Sequence, residues 1–163
     1  MDFSLRHILK KDEIIMDNKT LKKILQDCTT RVGFSYCNKN YYYSGNNIII
    51  VINVQKSNYA GSVNVNYGFC VRDIHVDLKC PKINECDIVG RFINNIDDME
   101  KTNFLLNELE SDKLEKCFET NIERTIIPVI NEGIKKYFEI YPKSIMTEKR
   151  IKGASQSLCK PPN

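Results

Sequence analysis

IIIVINVQ (residues 48–55) and SVNVNYGFCV (residues 62–71) are the two runs from which the fold follows. In the second, Val63, Val65, Tyr67, Phe69 and Val71 alternate with Ser62, Asn64, Asn66, Gly68 and Cys70. That is the period of a strand with two unlike faces. The first run is apolar from Ile48 to Ile52, then passes to Asn53, Val54 and Gln55. Folded antiparallel about residues 56–61, the runs place Val54 opposite Val63, Ile52 opposite Val65 and Ile50 opposite Tyr67. The same register sets Asn53 against Asn64, Gln55 against Ser62 and Val51 against Asn66. A one-residue slip would mix the faces, so the pattern predicts a sheet with one apolar and one amide-rich face.

Upstream, Leu21, Ile24, Leu25, Cys28 and Val32 share one face of a helix over 19–32. Asp17-Asn18 offers a cap and Gly33 a left-handed stop. A polar turn at Asn38-Lys39-Asn40 leads into a strand over 41–44. Gly45-Asn46 reads as a two-residue hairpin link. It sets Ser44 opposite Asn47, Tyr43 opposite Ile48 and Tyr41 opposite Ile50, with Tyr42 on the other face. Downstream, Ile74, Val76, Leu78 and Cys80 shift the alternation from odd to even numbers. This predicts a continued strand with a bulge at Arg72 or Asp73, ended by Pro81. A fourth strand is expected over 87–93 and a short turn at Phe104, Leu105 and Leu109. From Ser111 a helical stripe runs through Leu114, Cys117, Phe118, Ile122 and Ile126, kinks at Pro128 and ends before Pro142.

The expected class is therefore α+β: an antiparallel β meander of about four strands flanked by an N-terminal helix and a long kinked C-terminal helix. Helices should cover the Ile50/Ile52/Val65/Tyr67 face. Residues 1–17 are expected to form an extension or short helix, with folding from near Met16. Residues 18–141 form a single domain and 142–163 a polar tail. With 163 residues, 42% hydrophobic and 28% charged, the chain suits one globular domain. It carries no membrane-length apolar run and no signal-peptide pattern at its start. Seven cysteines without a Cys-x-x-Cys then point to reduced thiols in a cytoplasmic protein. Net charge is +3, but residues 85–132 carry 12 acidic against 5 basic side chains. That balance reads as a solvated helix face.

Residues 52–57, Ile-Asn-Val-Gln-Lys-Ser, end a hydrophobic strand between an aromatic and an alternating one. Gly33-Phe34 ends the first helix upstream, and Cys86-x-Ile88-x-x-Arg91 and Ile127-Pro128 come downstream. Over roughly residues 21–138 this resembles the bacterial domain-of-unknown-function family 4304. Two departures stand out: Val89 occupies the place of an arginine, and a tryptophan pair expected near 95–104 is absent, since the chain contains no Trp. The resemblance implies a small cytoplasmic helix-plus-antiparallel-sheet domain and implies no activity.

Chemistry-bearing residues are sparse. Asp73, His75 and Asp77 would project from one face of an extended strand and form a weak candidate metal set. Their spacing matches no established template, and no metal or other cofactor is expected. Cys28 and Cys117 fall on apolar helix faces, whereas Cys70 falls on the amide face and is the most accessible thiol by this reading. No nucleophile–base signature surrounds any cysteine, so the reading leans away from an enzyme, with a metal-dependent enzyme as the minor alternative. Asn53, Gln55, Asn64 and Asn66, with Lys56, Arg72 and Arg91 beside them, form the candidate binding set. An open amide-rich face suits a protein partner, as in a non-enzymatic accessory or immunity-like interaction module. Tyr42 with the amides and a basic rim makes single-stranded nucleic acid the alternative.

Overall fold

A computed structural model describes residues 16–144 and Arg150. The expectations for residues 1–15, His7 included, and for most of the tail lie outside the described residues. Helix α1 spans Asn18–Thr30. Its cap is Asp17, whose carboxylate accepts from the Thr20 N–H at 2.7 Å. Leu21, Leu25 and Cys28 are buried along one face, and Gly33 leaves the helix at φ +95°.

The sheet order is β1 (Ser35–Cys37), β2 (Asn40–Ser44), β3 (Ile48–Lys56), β4 (Ser62–Val71) and β5 (Ile88–Arg91), all antiparallel. A short β6 (Phe104–Leu105) pairs with the start of β4, where a turn was expected. Asn38 and Lys39 both take positive φ in the β1–β2 turn, the conformation a tight hairpin demands.

Both predicted hairpin registers are off by two residues, and both preserve the faces. Asn53 pairs with Asn66, Val54 with Val65, Ile52 with Tyr67 and Val51 with Gly68. The reason lies in the loops. Ser57 N–H donates to the Ser62 carbonyl, so the connection tightens to residues 58–61, with Gly61 at φ +73°. Likewise Gly45 N–H donates to the Ile48 carbonyl at 2.9 Å, so Asn46-Asn47 is the turn. Tyr41 then faces Ile52 and Tyr43 faces Ile50.

The Ile50/Ile52/Val65/Tyr67 face packs under the helices, as its alternation requires. Helix α2 (Ser111–Asn121) passes through a π-turn (Ile122–Ile126) into α3 (Ile127–Glu132) and α4 (Ile134–Ile140). The widened turn, with Ile127 N–H bonded to the Ile122 carbonyl, makes room for the ring of Pro128. Gly133 then breaks the helix at φ 84°, ψ −179°, a region open essentially to glycine alone. Phe69, Phe92, Phe104 and Phe118 fill the core beneath.

The bulged continuation of β4 does not exist. After Val71 the chain turns, with Ile74 and His75 N–H groups returning to the Val71 carbonyl. Residues 72–87 fold back across the second sheet face. There Leu78, Ile83 and Cys86 pack on Tyr42, Ile49, Val51 and Cys70. Tyr42 Oη donates to the Pro81 carbonyl at 3.0 Å, fastening this cover. Every residue of β4 is buried, Cys70 beneath this cover.

Candidate functional site

The cover reaches only half of the second face. Beyond Val51 and Gly68 lie Asn53 and Gln55 on β3, Asn64 and Asn66 on β4, and Val89 and Arg91 on β5, brought together by the pairs Asn53–Asn66, Gln55–Asn64, Gly68–Val89 and Asn66–Arg91. Asn66 stands at the centre, 5% exposed. Its Nδ2 donates to Asn53 Oδ1 and to Gln55 Oε1, each at 3.0 Å. Its Oδ1 accepts from Arg91 Nε at 3.2 Å.

Hydrogen-bond polarity makes this arrangement directional. A guanidinium can only donate, so the Asn66 atom facing Arg91 must be the oxygen. The Asn66 amide nitrogen then faces Asn53 and Gln55, which must both present oxygens. Their own NH2 groups are therefore turned away from Asn66 and left for solvent or a partner. Asn64 is 8% exposed and its side chain has no hydrogen-bond partner among the described residues. Arg91 is exposed and forms no ion pair with a carboxylate among them. The NH2 groups of Asn53 and Gln55 and the Arg91 guanidinium are thus available as donors, Asn64 offers both its NH2 and its oxygen, and half-exposed Val89 lies beside them.

Five of the seven predicted binding residues converge here. Lys56 does not: it pairs with Val63, so alternation puts it on the helix face, at the strand end near Asn18 and Tyr59. Arg72 is held at the far end of the sheet, its guanidinium donating to the Gly45 carbonyl at 2.7 Å and to Ser44 Oγ. The candidate metal set also fails to converge, because no extended strand carries it. His75 Nε2 lies 2.8 Å from Asp87 Oδ1, while Asp87 Oδ2 accepts from the Val71 N–H at 2.8 Å. That pair ties the covering segment to the end of β4.

Cys70, expected to be accessible, is fully buried under the cover, while Cys28 and Cys117 sit in the helix-face core. A cluster that composition did not suggest, Cys28 with Glu115 and Glu119, has spacing compatible with a metal ion. Arg31 already bridges its two carboxylates at 2.7 Å each, joining α1 to α2. A cleft of about 800 Å³ opens elsewhere, between the β2–β3 turn and the helix break at Gly133. Ile48, Val71, Val129, Ile134 and Phe138 line it, and no sequence pattern signalled it because its walls come from distant elements.

These features define a small α+β domain, one antiparallel sheet clasped between a helical layer and a returning loop, with an amide patch that none of the described residues covers. The chain belongs to the family described as a domain of unknown function, DUF4304, which matches residues 25–132. No curated protein and no solved structure matches it. Among the described residues no helix is long and apolar enough to cross a membrane.

Proposed function

We propose that this protein is a non-enzymatic interaction module whose amide face grips an acidic, carbonyl-rich segment of a protein partner. The observation that carries the reading is the polarity imposed by Arg91. Asn53 and Gln55 turn their NH2 groups away from Asn66, Asn64 has no partner of its own, and the guanidinium adds a charge. Carboxylates and peptide carbonyls complement such a surface, and Val89 supplies an apolar contact beside it. Single-stranded nucleic acid fits less well. Tyr42, the aromatic that alternation assigns to this face, is under the cover with its hydroxyl bonded to Pro81. A stacking platform needs an accessible ring.

The test is a titration of isotope-labelled protein with a Glu/Asp-rich peptide and, separately, with a single-stranded oligonucleotide. The peptide should move the side-chain NH2 resonances of Asn53, Gln55 and Asn64. Arg91→Glu should weaken it on the order of tenfold to a hundredfold with the fold retained. Oligonucleotide binding that collapses between low and moderate salt would favour the alternative. Shifts confined to the cleft or the helical layer would refute the amide face as the interface.

A further inference from the structure

Gly68 sits in the middle of β4 without positive φ, and its role is spatial. A Cβ at that position would lie 2.5 Å from Cys86 Sγ and 2.9 Å from Cys86 Cβ. The missing side chain lets Cys86 descend from the covering segment onto the sheet, beside Cys70, which follows Gly68 by two residues on the same face. The two sulfurs are 3.1 Å apart and both cysteines are free. Bond length is about 2.05 Å, so closure requires an approach of about 1 Å. Cys70 is buried, whereas Cys86 is half-buried, with Sγ 3.5 Å from the Lys82 carbonyl at the surface.

We propose that Cys70 and Cys86 are an oxidation site: a low-molecular-weight disulfide of the glutathione class converts them to an intrachain disulfide that locks residues 72–87 onto the sheet. The Cys86 thiolate attacks one sulfur of the glutathione disulfide, and one glutathione leaves and takes up a proton. Cys70, as thiolate, then attacks Cys86 Sγ in the mixed disulfide and displaces the second glutathione. Two electrons and two protons pass to the oxidant, which becomes two glutathione thiols. The partly exposed sulfur takes the first step and the buried one resolves it. The link joins two residues 16 apart in sequence. It therefore constrains the unfolded chain, and it fastens the same cover that the Tyr42–Pro81 and His75–Asp87 bonds hold reversibly. The contact with Cys70, and then burial, raise the Cys86 thiol well above its ordinary range. The reaction should accordingly be slow at neutral pH and keep accelerating beyond the ordinary thiol value of about 8.5.

The experiment treats the full chain with excess glutathione disulfide, quenches by alkylation and maps the peptides by mass spectrometry. Expected is a Cys70–Cys86 cross-link, reversed by dithiothreitol. A Tm several degrees higher and slower amide exchange in residues 72–87 should accompany it. Cys86→Ser should abolish all three effects. Because that variant could loosen the cover by itself, the Cys37→Ser/Cys80→Ser double variant serves as a second check. It removes the two exposed thiols among the described residues, keeps the pair and should still close. The proposal is overturned if Cys70 and Cys86 are recovered alkylated after oxidation. Glutathione left on Cys86 alone, or a link from Cys86 to Cys80, would refute it equally.

Discussion

Arg91 and Asn66 illustrate how one side chain with a single hydrogen-bonding role can orient its neighbours. Asn64, beside them, has no side-chain hydrogen bond to lose among the described residues, so Asn64→Ala should cost under about 1 kcal/mol in chemical denaturation. Other single groups set the response to alkali. Burial pushes the Cys28 thiol up to about 11 and the Tyr41 phenol, whose hydroxyl donates to the Lys22 carbonyl, up to about 12. Both are neutral acids whose folded values exceed their unfolded ones. Their stabilisation is complete below the unfolded values, near 9 for the thiol and 10 for the phenol, and is lost as pH rises through the folded values. Tm should therefore hold steady from neutrality to about pH 9 and fall from there towards pH 12. Tyr41→Phe should flatten the upper part of that fall, and an unchanged profile would contradict the assignment.

Among the elements, the strands were the most legible. Alternation in Ser62–Val71 identified both faces, and the two-residue error in register arose where periodicity carries no information. A shift of two leaves every side chain on its face, so only the loop hydrogen bonds at Ser57 and Gly45 decide between such registers. The phase change after Val71 looked like a bulge. It marks a chain that leaves the sheet and partly buries Leu78 while Val76 stays 76% exposed. Helix breaks were only half visible: Pro128 announced one, while the break at Gly133 shows only in its backbone angles. An added Cβ at Gly133 meets nothing within 4 Å, so the objection to a side chain is conformational alone. Gly133→Ala should cost about 1–3 kcal/mol, measured by urea unfolding. Arg31 joins α1 to α2, yet its side chain is 54% exposed. Arg31→Ala should cost no more than about 1 kcal/mol, and the loss should shrink in high salt.

The whole molecule is a sheet packed on both sides, and its stability should reflect that. Ile52 lies in the helix-face core at 0% exposure, and Ile49 lies under the returning loop at 1%. Each should cost about 2–5 kcal/mol when cut to Ala. A negligible loss at Ile49 with a large one at Ile52 would mean that the loop does not shield its face in solution. The class of fold, the two faces, the apolar helix stripes and the amide content of the candidate site were all determined by the sequence. Each is a periodic or local property that a short run of residues can carry. Tertiary structure alone decided which half of the second face is covered, the meeting of Cys70 with Cys86 and the removal of Lys56 and Arg72 from the site. It also turned the amide donors away from Asn66. Those outcomes depend on where distant segments return, and hydrophobic pattern records that a residue is buried without recording what buries it.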